Sequence, residues 1–187
     1  MSKVIIVVEG KTDELILNAV SPRSLQRKIQ FVVGSGRYSA QSIARTILAY
    51  ERQPVALVLD ADTTDESKVK EQVAYFQKAL GEVASDIPYQ AFIVVPEIEI
   101  ILFENQTYLE KLAQRKISQE ELDYAQTAPK KALERFLGGR SVSPMHAALK
   151  QLDDITLKSI HDHPLMKGLC DFVDLASHFA EREAIAA

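Results

Sequence analysis

KVIIVVEGKTDE, residues 3–14, runs five apolar residues straight into a glutamate, a glycine and a cluster of charges. Unbroken β-branched apolar runs without strict alternation suit a strand in a parallel sheet covered on both faces. A carboxylate at the tip of such a strand has two readings: an acidic chain reversal, or a metal site. The remainder of the sequence must choose between them.

Three further runs read the same way: QFVV (30–33), VALVLD (55–60) and QAFIVV (90–95). Helical patterns separate them: TDELILNAV, SAQSIARTILAYE and DESKVKEQVAYFQKALGEV, each opening on a Thr, Ser or Asp suited to capping a helix. This alternation predicts βαβ units with right-handed crossovers, hence an open α/β, Rossmann-like, mainly parallel four-stranded sheet with helices on both faces. After about residue 104 the strand signals stop. Mixed segments at helical spacing, punctuated by Pro129, Gly138-Gly139, Pro144 and Pro164, predict a helical C-terminal region over 105–187, packed on or appended to an α/β domain over 1–104.

Composition bounds the function. The 187 residues are 47% hydrophobic, enough for a sizeable core, and show no repeat or low-complexity segment. No apolar stretch approaches the roughly 18 residues that cross a bilayer, so a cytoplasmic protein without membrane contact is expected. The single cysteine, Cys170, reads as a reduced, packed thiol. With 22 Lys and Arg against 26 acidic residues the net charge is −4, which argues against a broad basic coat for nucleic acid. A local basic surface, or a polyanion held through metal ions, stays compatible with that balance.

In an open α/β sheet the functional groups gather beyond the carboxyl ends of the strands. Those exits are Glu9-Gly10-Lys11-Thr12-Asp13, Gly34-Ser35-Gly36-Arg37, Asp60-Ala61-Asp62 and Pro96-Glu97-Ile98-Glu99, and three of the four are acidic. Asp60 and Asp62 point to the same side if the strand continues through Asp62. Magnesium is held by one or two carboxylates while keeping several waters, which leaves positions for phosphate oxygens. Taken alone, DADTTD is equally a polar strand end before a helix capped by Thr64 or Asp65. With Glu9 added, several carboxylates converge at one sheet end, where they repel unless a cation is present or some are protonated.

VVEGKTDE followed about fifty residues later by LVLDADTTD resembles the TOPRIM domain. That magnesium-binding module is shared by topoisomerases, bacterial primases, recombination-associated proteins, overcoming-lysogenization-defect nucleases and the small ribonucleases that mature 5S ribosomal RNA. Its signature is a glutamate, often followed by glycine, after the first strand and an Asp-x-Asp after the third, here Glu9-Gly10 and Asp60-Ala61-Asp62. The EGKTD form is closest in style to the small ribonucleases and the lysogenization-defect nucleases. The resemblance covers roughly residues 3–103 through short motifs. It implies a TOPRIM-like fold, a magnesium cofactor replaceable by manganese, and nucleic acid as partner, DNA or RNA. It further implies Glu9 as general acid or base or metal ligand, Asp60 and Asp62 as metal ligands, and Asp13 and Asp65 as supporting ligands.

Other features carry two readings each. PEIEIILFEN suits a helix started by Pro96 with Ile98, Ile101 and Leu102 inward, or places Glu97 or Glu99 near the metals. GSGRYSA is a glycine turn before a Ser39-capped helix, or a phosphate-holding turn in which Arg37 binds bidentately. Lys11, beside the acidic cluster, contacts substrate phosphate or pairs with Asp13. His161-Asp162-His163 reads as a solvated turn rather than a zinc site, and Lys130, Lys131, Arg135 and Arg140 as a solvated face or a nucleic-acid contact.

Two functions follow. One is a magnesium-dependent nuclease or related phosphodiester-transfer enzyme, with Glu9 and Lys11 as its catalytic residues and Lys11 and Arg37 holding the substrate phosphate. The other is a non-catalytic binding or regulatory module working with a partner protein, such as a separately encoded ATPase, since no G-x-x-x-x-G-K-[ST] loop is present.

Overall fold

The computed structural model of the chain describes residues 3–138 and 144–186. Four strands, β1 (Val4–Val8), β2 (Ile29–Val33), β3 (Val55–Asp60) and β4 (Tyr89–Val94), form one parallel sheet in the order β2-β1-β3-β4. Val8 pairs with Val33 on one side and Val58 on the other, while Asp60 pairs with Val94. The ends of β1 and β2 are therefore level, whereas β3 and β4 run on together and carry Asp60 past the tip of β1.

Period-two alternation sorts the strand residues onto two cores. Val4, Ile6, Val8, Ala56, Val58, Phe92 and Val94 face one core; Ile5, Val7, Val55, Leu57, Leu59 and Ala91 face the other. The second core is closed by α3 (Arg37–Thr46), by the π-helical segment Ile47–Glu51 that continues it, and by α4 (Glu66–Gly81). The first is closed by α1 (Lys11–Val20) together with the C-terminal helices. Both faces are covered, which is why all five residues of β1 are buried and none needed to be polar.

A short α2 (Arg23–Gln26) leads into β2. Beyond β4 come a 3-10 helix, Ile98–Glu104, then α5 (Gln106–Ala113), α6 (Gln119–Thr127), α7 (Pro129–Phe136), α8 (Pro144–Leu149), α9 (Asp154–His161) and α10 (Pro164–Ala186). Leu109, Leu133, Ile160, Met166, Leu169 and Val173 from these helices belong to the same core as the first sheet face. The Tyr108 hydroxyl donates to the Ala148 carbonyl at 2.9 Å, stitching α5 to α8 within it. Among the described residues no helix is long and apolar enough to cross a membrane.

Three local expectations are corrected. The helix after β2 begins at Arg37 with Gly36 as its cap residue, so Ser39 lies inside it. That shift follows from the Gly34-Ser35-Gly36 turn: Gly36 has φ 94°, and a Cβ on Gly34 would stand 2.8 Å from the Ala40 nitrogen. The segment after β4 is a 3-10 helix starting at Ile98, with Pro96 outside it; Ile98, Ile101 and Leu102 are buried as expected. His161 and His163 are half-buried rather than solvated, with His161 Nε2 2.7 Å from the Val20 carbonyl oxygen. Gly139 and Arg140 lie outside the described residues.

Candidate metal centre

The adjacent ends of β1 and β3 bring Glu9 and Asp60 together. Glu9 Oε1 accepts the Asp60 backbone N–H at 3.1 Å, a bond between chain positions 51 residues apart. Asp60 Oδ1 accepts the Ile98 N–H at 2.8 Å, so the start of the 3-10 helix anchors the second carboxylate. Asp13, in the first turn of α1, takes the Gly10 N–H on Oδ2 at 2.9 Å. Backbone N–H groups thus hold all three carboxylates in place. None of them is stranded, since among the described residues the side-chain atom that is both buried and unpaired is Gln72 Oε1.

Asp62 departs from the strand geometry that would align it with Asp60. Its φ is 54°, in the left-handed region, because β3 ends at Asp60 and the chain turns away, with the Asp62 N–H bonded to the Pro96 carbonyl at 2.9 Å. Its carboxylate is exposed and bound by Arg37 Nη2 at 2.8 Å. Gln72 of α4 braces the same turn through the Ala61 carbonyl at 3.0 Å.

Arg37 stands among the acids as their internal cation. It donates to the Asp60 carbonyl at 2.6 Å and to Asp62, and its Nε lies 3.5 Å from Glu9 Oε1. The glycine turn places it there, at the first position of α3. Lys11 pairs with Glu14 rather than with Asp13 and keeps its ammonium largely in solvent. Asp65 is the cap of α4, accepting from the Ser67 and Lys68 N–H groups at 2.9 and 3.3 Å. Glu97 accepts the Lys130 N–H of α7 at 3.2 Å.

The two readings of PEIEIILFEN divide between its glutamates. Glu99 is 2% exposed and acts electrostatically on Asp60, whereas Glu97 is taken up by α7. The run IEIIL explains the difference, since a carboxylate flanked by residues packed inward is drawn in with them. Lys130 takes a part that sequence reasoning missed. Brought from the helical region by α7, it is the cation that opposes the charge of Asp13 and Glu99, and no local pattern signals that pairing. Arg135, by contrast, lies over the Tyr124 ring at 4.4 Å, so Lys130 and Arg135 do different things.

The balance of charge leaves the cluster short of cations. Burial, then the neighbouring Asp13 and Glu99 charges, push the Asp60 carboxyl up to about 8. Burial raises Glu99 to about 7 against the pull of Lys130. Glu9 and Asp13 are also raised, burial first, with Arg37 holding Glu9 down and the Gly10 hydrogen bond holding Asp13 down. Replacing Arg37 by Ala is therefore expected to move the Glu9 titration upward, read by carbon NMR of its carboxyl; an unchanged titration would remove Arg37 as its counter-ion.

Among the described residues no three His, Cys, Asp or Glu side chains form a ready-made metal cage. The donors still fit a hard divalent ion of the kind that takes one or two carboxylates and keeps its waters. They are all oxygens, they carry excess buried negative charge, and backbone N–H groups fix Glu9, Asp13 and Asp60 at one end of the sheet.

No protein-family model matches the chain, and no curated protein does. Among solved structures, the fold is similar to the C-terminal region of the Burkholderia pseudomallei OLD protein, with 18% identity and a TM-score of 0.52. The match covers 92% of this chain and 99% of that one. At this identity the likeness is one of fold, and it extends past the sheet into the helical region. The open, parallel four-stranded α/β sheet with helices on both faces, followed by a helical region, is the architecture expected from the sequence and the one the chain has.

Proposed function

We propose that the chain is a divalent-metal-dependent phosphodiesterase acting on nucleic acid. The observation that carries this reading is the meeting of Glu9 and Asp60 at the ends of β1 and β3, with Asp13 of α1 acting on Asp60 through its charge, where burial and neighbouring charge raise the Asp60 carboxyl to about 8. Glu9, Asp13 and Asp60 would hold the ion, with Asp62 adjoining and Glu99 behind. Magnesium, or manganese in its place, polarises a phosphate and lowers the pKa of a bound water when present.

The protein's own groups supply the rest. Where Asp13 and Asp60 carry the ion by themselves, Glu9, whose carboxyl burial raises, would instead take a proton from the attacking water or give one to the leaving oxygen. Arg37 has a planar fork that suits phosphate as well as it suits Asp62, so substrate would draw it from one anion to another. Lys11, exposed at the rim, and Lys130, on the α7 side, add positive charge where the phosphodiester backbone would lie.

The test is incubation of the purified chain with single- and double-stranded DNA and RNA in magnesium or manganese, beside Glu9→Gln. Cleavage is expected in metal and absent in chelator, and the variant is expected to lose roughly 10²–10⁴-fold. Cleavage that persists in chelator, or that Glu9→Gln leaves untouched, would overturn the assignment.

One observation favours a second reading. Arg37 already supplies Glu9 and Asp62 with a cation, and the carboxylates do not close a cage among the described residues. A non-catalytic module working with a partner protein, such as a separately encoded ATPase, would keep this arrangement. No cleavage of any substrate together with no stabilisation by metal would favour it.

A further inference from the structure

A groove of about 400 Å³ runs along α3 onto the π-helical segment and across to α4. It shares no residue with the acidic cluster, yet it starts beside it: Tyr38 lines the groove, and the preceding residue, Arg37, is bonded to Asp60 and Asp62. Three tyrosines border it, Tyr38, Tyr50 and Tyr75, which are 81%, 84% and 56% exposed. A lone exposed aromatic needs no explanation, but three around one groove are a concentration of ring faces in contact with water. Tyr75 is steadied edge-on against the buried Phe76, with ring centres 5.0 Å apart. Arg45 also lines the groove and has no ion pair among the described residues. No carboxylate lines it, although the chain as a whole carries a net charge of −4.

We propose that this groove binds single-stranded nucleic acid, with bases stacked on Tyr38, Tyr75 and Tyr50, a backbone phosphate on Arg45, and the strand leading toward the acidic site. The destination of the strand rests on the phosphodiesterase reading; the binding itself does not. Rings offer stacking faces to any base, but only where the bases are free of a partner strand, because a duplex has its base faces already stacked. From Tyr38 to Tyr50 the helical path is on the order of 18 Å, long enough for more than one base to lie along it. The charge matches as well: a cation and neutral hydrogen-bonding side chains, Gln41, Ser42 and Thr46, with no anion to repel phosphate.

The experiment uses the full chain in chelator, so that nothing is cut, and reads fluorescence anisotropy of labelled oligo-dT, oligo-U and a duplex. The parent is expected to bind the single strands more tightly than the duplex. Tyr38→Ala and Tyr75→Ala are each expected to weaken single-strand binding about tenfold, while Tyr75→Phe, which keeps the ring, binds like the parent. Arg45→Gln should lower the salt dependence by about one phosphate contact. Ala variants that bind like the parent, a parent that binds neither single strand, or equal loss on duplex and single strand would overturn the proposal. So would a parent dimer that the Tyr variants break without loss of oligonucleotide binding, which would make the groove a contact between copies. If nothing is ever cleaved but the Ala variants lose binding, the enzymatic reading falls and the groove stands. Cleavage by the parent with unchanged binding by the Ala variants gives the reverse.

Discussion

Asp60→Asn is expected to reduce metal-dependent cleavage by roughly 100-fold or more, since a bound metal ion supplies several kcal/mol of transition-state stabilisation, and, at the same time, to make the protein harder to unfold at pH 8.5. The amide retains an Oδ1 that can accept the Ile98 N–H, so the anchor seen at 2.8 Å survives the change. What it removes is a charge that burial and the neighbouring Asp13 and Glu99 disfavour. Because the folded carboxyl titrates at about 8 and an ordinary Asp near 3.8, the unfolded chain binds fewer protons than the folded one between those values. Stability of the parent from this group is therefore full below about pH 4 and is lost as pH rises through about 8. A tenfold change in proton affinity on folding corresponds to about 1.4 kcal/mol, so each pH unit of this displacement that the variant abolishes gives it a gain of about that size at pH 8.5. For a chain of this length that is roughly 3–6 °C in Tm. Thermal melts from pH 4 to 9 decide it. A variant that melts lower than the parent at pH 8.5, or with the same pH slope, would contradict the buried, under-neutralised carboxylate.

The same titration governs the metal. A proton and a divalent ion compete for Asp60, so magnesium is expected to bind more tightly as pH rises through 7 to 8 and to stabilise the parent more than the variant. Losing activity while gaining stability is what a site assembled for charge rather than for packing should show.

Leu133→Ala, in α7 and remote in sequence from every strand, is expected to destabilise the whole chain by about 2–5 kcal/mol, or roughly 4–20 °C in Tm. Leu133 is 2% exposed and lies in the core that includes Val4, Ile6, Val8, Ala56 and Val58 of the sheet. A cavity there weakens the packing of the sheet face as much as that of the helices. Far-ultraviolet circular dichroism and tyrosine fluorescence should report one coincident transition before and after the change. A chain ending at residue 104 would leave that sheet face without its C-terminal cover and is expected to bind hydrophobic dye or aggregate. Two separate transitions, with only one moved by Leu133→Ala, would show that the helical region folds apart from the sheet. Because α7 also carries Lys130 to the acidic cluster, the substitution should disturb the site as well as the core.

Legibility in the sequence differs from element to element. The four strands are legible within a residue or so at each end, because a parallel sheet covered on both faces demands unbroken apolar runs and little else in the chain has them. The helix after β2 starts earlier than its serine suggests because the conformation of Gly36, not the capping chemistry of Ser39, decides where it begins. Asp62 is misaligned for a related reason: spacing of two implies a shared side only while the backbone stays extended, and the turn bonded to Pro96 ends that.

By itself the sequence determined the layers: parallel strands, crossover helices, a helical remainder, and acids at the strand tips, since these follow from local periodicity and chain connectivity. Only the tertiary structure decided which acids share a site and which cations answer them. Glu99 is drawn in by its apolar neighbours, Arg37 is swung across Glu9 and Asp62 by a glycine turn, and Lys130 arrives on α7, well beyond β4 in the chain. Charge acts through space at distances that chain position does not encode, and the burial that gives it strength comes from packing between segments far apart in the sequence.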